Sequence, residues 1–265
     1  MRPYDAYIFD LDGTVYLGDS LLPAAGETIR ALRAQGRRTI FVSNNPTRTR
    51  QDYAAKLTRL GLATPPGDVI TSAVVLVEFL KRELPGGRLF VVGEAPLKAE
   101  LGAAGFTGLA LSGVEGVTDP QRVDAVIASF DRTFDYAKLQ TAFDAIRFGA
   151  RFFATNADAY CPTPSGGEPD AAAVIAAIEA CTGVRVEAVV GKPSRNMLEA
   201  VMGLVDLPAA RCLMIGDRLE TDIQMALNAG MDSALTLTGA ASKAALAAVD
   251  IRPTYILATL ADLLE

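Results

Sequence analysis

Ala6-Tyr7-Ile8-Phe9-Asp10-Leu11-Asp12-Gly13-Thr14 is the stretch from which the fold can be read. Its apolar first half is typical of a buried parallel strand, and it stops at a pair of carboxylates. Binding sites in open α/β sheets form at the carboxyl ends of strands, so Asp10 and Asp12 are expected at such a site. Gly13 then allows the backbone to turn sharply. For these residues alone, a strand followed by an ordinary acidic turn is the alternative interpretation.

Three further predicted strands also end in polar or ionic residues. They are Arg38–Val42, Ala188–Val190 and Arg211–Ile215. The residues of interest that follow them are Ser43, Asn44 and Asn45; Lys192; and Asp217 with Asp222. If these strands are parallel neighbours in one core sheet, all of these side chains converge with Asp10 and Asp12 on one sheet edge.

The composition excludes several classes of function. The chain has 265 residues, a formal net charge of -6 and 50% hydrophobic residues, which allows one large or two modest domains but disfavours a general nucleic-acid surface. It contains no histidine, which excludes Ser-His-Asp catalysis and histidine-bound zinc. A bound metal would therefore be held by oxygen ligands, which favours Mg²⁺.

The sequence shows neither a disulfide framework nor a membrane-spanning or secretory segment, and both features bear on where the protein is located. Cys161, Cys181 and Cys212 are well separated and form no C-x-x-C pair, so no disulfide framework is expected. No apolar run approaches the roughly 20 residues that span a bilayer, and no secretory signal is recognisable. We expect a cytoplasmic protein without membrane or nucleic-acid partners.

The middle of the chain has its own strand–helix alternation, which begins after Pro85-Gly86-Gly87. We predict an inserted domain at 85–186, with the core domain formed by 1–84 and 187–265. Within the insertion, Cys161–Pro169 is predicted as a Pro- and Gly-rich loop, followed by a helix over Asp170–Thr182. Near the end of the chain, Asp222–Ala229 is predicted as a helix, Ser233–Thr238 as the last strand and Leu257–Leu264 as a terminal helix.

The four strand ends, taken in order, resemble motifs one to four of the haloacid dehalogenase-like (HAD) phosphohydrolases. The matching segments are Asp10–Thr14, Val42–Pro46, Gly191–Pro193 and Ile215–Asp222. About thirty residues separate the first two motifs, and the insertion follows the second. That arrangement resembles the C2-capped branch, subfamily IIA, with its NagD-like, phosphoglycolate and p-nitrophenyl phosphatases. The resemblance implies an α/β fold with a Rossmann-like parallel sheet core and an inserted α/β C2-type cap.

The same resemblance implies roles for individual residues. Asp10 would be the nucleophile that forms an aspartyl-phosphate, and Asp12 the general acid and base. Ser43 and Lys192 would hold the transferring phosphoryl group. The implied Mg²⁺ ligands are Asp10, the backbone carbonyl of Asp12 and Asp217, with Asp222 orienting a metal-bound water.

The expected activity is Mg²⁺-dependent hydrolysis of a small phosphate monoester, such as a sugar phosphate, glycerol phosphate, phosphoglycolate or a nucleoside monophosphate. A phosphotransferase or mutase, and a non-catalytic phosphate-ligand sensor, are the alternatives. Candidate substrate contacts are Asn44, Asn45, Asn156 and Asp158, for which ordinary Asx turns are the competing interpretation. Ala157 stands where the branch often has proline, and a homodimer through the cap is left open.

Overall fold

The computed structural model describes residues 1–107, 119–241, 246–247 and 249–264. Within these residues the strands, in chain order, are β1 (Ala6–Asp10), β2 (Tyr16–Leu17), β3 (Ser20–Leu21), β4 (Arg38–Ser43), β5 (Val69–Thr71), β6 (Leu89–Val92), β7 (Ala125–Ala128), β8 (Arg151–Ala154), β9 (Tyr160–Thr163), β10 (Gly166–Pro169), β11 (Ala188–Val189), β12 (Cys212–Gly216), β13 (Asp232–Thr236) and β14 (Tyr255–Leu257). The α-helices are α1 (Ala25–Ala34), α2 (Arg50–Arg59), α3 (Ser72–Glu83), α4 (Ala95–Ala103), α5 (Tyr136–Arg147), α6 (Ala171–Thr182), α7 (Arg195–Val205) and α8 (Gln224–Ala229).

The larger sheet has six parallel strands in the order β14-β13-β12-β1-β4-β5. Every residue of β1 is buried, because this strand lies between β12 and β4 and is covered on both faces. Alternate side chains point to opposite faces, as the strand period requires. Tyr7 and Phe9 pack towards α1 and α2, whereas Ala6 and Ile8 belong to the apolar cluster that includes α3 and α7.

The second sheet has four parallel strands in the order β11-β8-β7-β6. In the chain, the helices α4, α5 and α6 lie between these strands. Its inner apolar cluster includes Phe90, Val126 and Phe152. This sheet is built from the segment between α3 and α7, which agrees with an insertion into a core domain.

The strand β11 differs from its predicted place. Ala188 and Val189 pair with Phe153 and Ala154 of β8, so β11 belongs to the second sheet and not to the core sheet. The hydrogen bonding continues to Gly191, whose amide donates to Thr155 O at 2.7 Å. A strand of two residues carries no pattern that reveals its neighbour, so the sequence did not show this pairing.

Four other local predictions also differ from the structure. The predicted loop at Cys161–Pro169 contains the antiparallel hairpin of β9 and β10, and β14 follows the strand that was predicted to be the last. The helix expected to begin at Asp222 is preceded by a π-helical turn, Leu219–Ile223. The predicted terminal helix is a 3₁₀ turn at Leu260–Leu264. In the described ranges, no helix combines the length and the apolar character needed to cross a bilayer.

Candidate active site

The candidate site lies where the carboxyl ends of several strands meet. Asp10 is the last residue of β1, Ser43 is the last residue of β4, and Asp217 directly follows β12. Lys192 reaches the same cleft from the end of β11 in the second sheet. The predicted convergence of these residues is therefore present, although Lys192 arrives from a different sheet than expected.

Lys192 connects two of the carboxylates. Its Nζ donates to Asp10 Oδ1 at 2.5 Å and to Asp222 Oδ1 at 2.6 Å, and its side chain is only 3% exposed. Burial alone would lower the pKa of this lysine, but the charges of Asp10 and Asp222 more than compensate and raise it. Lys192 is therefore held as an ammonium group against the carboxylate of Asp10.

Asp10, Asp217 and Asp222 form a buried group in which one oxygen from each lies within 4.8 Å of the others. Three carboxylates with the single ammonium of Lys192 leave an excess of two negative charges in this cluster, which matches a divalent cation. All of the donors are oxygens, as Mg²⁺ prefers. The residues present therefore fit a divalent metal ion.

The surroundings of Asp217 leave room for such an ion. One carboxylate oxygen of Asp217 accepts the amide of Ala240 at 2.6 Å, which leaves the other oxygen for a further ligand. Gly13 has a φ of +89°, and a Cβ there would lie 2.5 Å from Asp217 Oδ2. A Cβ at Gly239 would collide with the same oxygen. Both positions thus require glycine for the carboxylate to keep its place.

Burial and mutual repulsion raise the pKa values of these carboxylic acids. Burial, followed by the charges of Asp10 and Asp222, raises the pKa of Asp217 to about 8. Burial raises the pKa of Asp222 to about 6 even though Lys192 opposes the shift. Asp12 lies in the same cleft, where burial and then the charge of Asp10 raise its pKa to about 6. A positive ion in this group would favour the ionised forms.

Asn44 connects the two sheets at the cleft. Its Oδ1 accepts the Lys192 amide at 2.7 Å, and its Nδ2 donates to Lys192 O at 3.2 Å and to Asp158 Oδ1 at 3.1 Å. Beside it, Ser43 Oγ accepts the amide of Asn45 at 3.1 Å. Asn44 therefore fixes the backbone that carries Lys192.

The four predicted substrate contacts separate into two groups. Asn44, Asn45 and Asp158 line the cleft. Asn156 does not line it, because this residue is fully buried and its Nδ2 donates to Asn44 O at 2.9 Å and to Asp170 Oδ1 at 3.3 Å. Asn156 therefore forms part of the connection between the sheets, and its contact with substrate stays a prediction.

The sequence analysis did not predict Arg218 as a site residue, although it directly follows Asp217 in the chain. Its guanidinium lines the cleft, donates to Tyr160 O at 2.6 Å and lies 4.8 Å from the centroid of the Tyr160 ring. An arginine next to a predicted metal-ligating aspartate was the available signal. Arg218 thereby places a second cation at the cleft and contacts the β9–β10 hairpin.

Comparisons with known proteins agree with this geometry. Family models described as haloacid dehalogenase-like hydrolase and HAD-hydrolase-like match residues 7–107 and 189–263. The sugar-phosphatase AraL of Bacillus subtilis is 38% identical over 236 residues, which cover 89% of this chain and 84% of that protein. The chain belongs to the haloacid dehalogenase-like hydrolase family.

Other relatives of this HAD hydrolase are similar over nearly its whole length. Chronophin of Rattus norvegicus is 39% identical over 272 residues, covering 97% of this chain and 86% of that protein. The crystal structure of a 4-nitrophenylphosphatase from Thermotoga maritima has a TM-score of 0.88 at 34% identity and covers 98% of this chain and 96% of that one. The predicted family, α/β fold class and class of phosphoric monoester hydrolase are thus confirmed.

A further structural neighbour bears on the metal. The glycerol phosphate phosphatase of Mycobacterium tuberculosis was solved in complex with calcium, and it has a TM-score of 0.85 at 34% identity, covering 98% of this chain and 74% of that one. Use of a divalent metal by this family agrees with the carboxylate group of the HAD hydrolase described above.

Proposed function

We propose that this HAD hydrolase cleaves small phosphate monoesters with Mg²⁺ as its metal, through a phosphoryl group carried on Asp10. The observation that carries this proposal is the buried contact of Asp10 with Lys192, beside Asp217 and Asp222 in one cleft. Relatives named for sugar phosphates, nitrophenyl phosphate and glycerol phosphate support small esters as the substrate class.

The first step that we propose uses Asp10 and Asp12 in different roles. An oxygen of Asp10 forms a bond to phosphorus, and the bond between phosphorus and the ester oxygen breaks. Asp12 gives its proton to the departing alkoxide. In the second step, Asp12 takes a proton from a water molecule, whose oxygen displaces Asp10 from phosphorus. Asp10 is thereby restored as a carboxylate and Asp12 as a protonated acid, and phosphate and an alcohol are the products.

Charge is the main obstacle to the first step, since a carboxylate must approach a phosphate dianion. Lys192 already holds Asp10, and its ammonium can share hydrogen bonds with a phosphoryl oxygen. The Ser43 hydroxyl is a further donor for the phosphoryl group. When held by Asp10, Asp217, Asp222 and the carbonyl of Asp12, Mg²⁺ supplies positive charge that offsets the remaining repulsion.

The test of this proposal is phosphate release from a panel of esters, measured as kcat/KM with Mg²⁺ and with excess chelator. The panel contains 4-nitrophenyl phosphate, glycerol phosphate, phosphoglycolate, sugar phosphates and nucleoside monophosphates. We expect turnover that stops on chelation and returns when Mg²⁺ is added. Full activity in excess chelator would contradict the metal assignment, and no turnover of any ester with Mg²⁺ would contradict the function.

The inserted unit is proposed to be the cap of this hydrolase. The predicted bounds are 85–186, and because Ala188 and Val189 pair with β8 we propose to extend the cap to 85–190, with 1–84 and 191–265 as the core. A homodimer through this domain and a cytoplasmic location stay predictions. Sedimentation velocity of the whole chain tests the first, and fractionation of cells that produce it tests the second.

A further inference from the structure

A second cavity of about 220 Å³ opens beside Asp12, between the core and the inserted domain. It shares Asp12, Asn45, Cys161 and Pro162 with the catalytic cleft, so the two spaces adjoin each other. Asp12 is the group proposed to give a proton to the leaving group. The leaving group must therefore lie on the Asp12 side of the phosphoryl group, where this cavity is.

Lys56 is a buried cation in the wall of this cavity. Helix α2 begins after Thr49, which forms a reciprocal capping box with Asp52, and this start places Tyr53 and Lys56 on the same buried face. Lys56 is only 5% exposed, and its ammonium lies 3.5 Å from the centroid of the Tyr16 ring. Among the described residues the Lys56 ammonium makes no hydrogen bond or ion pair, and its stabilising contact is with the face of the Tyr16 ring.

Tyr16 supplies a second unused polar group. Its hydroxyl is buried and finds no hydrogen-bond partner in the described part of the chain, and the residue lines the same cavity. An unpaired hydroxyl at a buried site costs free energy comparable to that of a lost hydrogen bond. An ammonium without a hydrogen bond or ion pair and an unpaired hydroxyl in the wall of one cavity are suited to binding an anion.

The other charged groups of the cavity are engaged or lie at its rim. Arg132 donates to Glu94 at 2.7 Å and is 3.7 Å from Glu168, while Arg48 and Asp19 are exposed. Asp12 is the remaining acid in the wall.

We propose that Lys56 and the Tyr16 hydroxyl form a leaving-group subsite that binds an anion on the substrate. This inference rests on the proposed phosphatase function and narrows it to phosphate monoesters whose leaving group carries a carboxylate or a second phosphate. The volume equals roughly seven water molecules at about 30 Å³ each, which suits a small leaving group of three or four carbons. Esters of neutral alcohols of the same size are then the poorer substrates.

Three esters on one carbon frame test this subsite. Glycerol 3-phosphate has a neutral leaving group, 3-phosphoglycerate carries a carboxylate, and glycerol 1,3-bisphosphate carries a second phosphate. In the wild-type enzyme we expect kcat/KM for at least one of the two anionic esters to exceed that for glycerol 3-phosphate by about tenfold or more. The better of the two identifies the anion that the subsite takes.

The decisive readout is the ratio of kcat/KM between the anionic and the neutral ester. Lys56→Met is expected to lower this ratio about tenfold, mainly through KM, and Lys56→Arg to restore part of it. Lys98→Met is the matched control, since Lys98 is a half-buried lysine that lines a separate cavity of the inserted domain. It should leave the ratio at the wild-type value.

Tyr16→Phe keeps the inference testable if Lys56→Met does not fold. Removing an unpaired buried hydroxyl is tolerated, so this variant should fold and still lower the ratio by a few fold. An unchanged ratio in Lys56→Met and Tyr16→Phe, or a wild-type preference for glycerol 3-phosphate, overturns the subsite. Such a result leaves the phosphatase function standing if 4-nitrophenyl phosphate is still hydrolysed, whereas loss of all esters overturns the function itself.

Discussion

The two sides of the cleft differ in how their buried charges are satisfied. On the phosphoryl side, the ammonium of Lys192 is held by Asp10 and Asp222 before any ligand arrives. On the leaving-group side, Lys56 and the Tyr16 hydroxyl are as deeply buried but have no hydrogen-bonding partner within the described residues. The part of the substrate that all phosphate esters share thus meets a lysine that the protein has already paired. The variable part meets a site that is completed by its ligand.

Of the substitutions that test the difference between the two sides, Lys192→Met is expected to have the largest effect on kcat/KM. It removes the charge that holds Asp10 and leaves two buried carboxylates without their cation, so kcat/KM should fall by about 10³-fold for every ester. Steady-state kinetics on neutral and anionic esters measure this loss, with circular dichroism to confirm folding. A selective loss on anionic esters alone would show that Lys192 and Lys56 do not divide the work as proposed.

Asp12→Asn should have a smaller effect that depends on the leaving group. General acid catalysis matters most for poor leaving groups, so we expect a loss of about 10²-fold with glycerol phosphate and only a few fold with 4-nitrophenyl phosphate. The measurement is kcat for both esters under substrate saturation. The same loss on both esters would argue against Asp12 as the acid.

Asp170→Asn should have the smallest effect, on the pH dependence of stability. Burial raises the pKa of Asp170 to about 7, from an ordinary value of 3.8. The folded state therefore binds a proton more tightly, and this contribution to stability is present below about pH 4 and lost as the pH rises through about 7. Replacement by asparagine removes it.

Thermal unfolding between pH 5 and pH 8 measures that difference. The wild-type Tm should fall more steeply over this range than the Tm of Asp170→Asn, by roughly a few °C. The matched control is Asp135→Asn, which changes an exposed helix-capping aspartate on α5 and should keep the wild-type slope. Equal slopes for wild type and Asp170→Asn would show that Asp170 does not titrate as its burial implies.

The sequence predicted the phosphoryl side well because buried parallel strands are continuous apolar runs with abrupt polar ends. The ends of β1, β4 and β12 were located from that pattern, and so were Asp10, Ser43 and Asp217. Lys192 was found from its motif, although the two-residue strand before it gave no sign that it pairs with β8. The partners of Asn156 were not predicted, because an Asx residue in a loop does not reveal them.

The leaving-group side was not predicted, for a physical reason. A lysine on a helix is normally solvated, and Lys56 is buried only because Tyr16 and the loop of the inserted domain cover the same face of α2. Such burial depends on segments distant in the sequence. The cavity also depends on Cys161 and Pro162 of the β9–β10 hairpin, which the sequence indicated only as a loop.

The most direct test of the account is to find the phosphoryl group on Asp10. The Asp12→Asn variant is mixed with 4-nitrophenyl phosphate and Mg²⁺, quenched in acid within one turnover, digested and analysed by mass spectrometry, with Asp10→Asn as the control. We predict phosphorylation of the peptide that contains Asp10, and none in the control. Turnover by Asp10→Asn at the wild-type rate, or a phosphoryl group on another residue, would contradict the account.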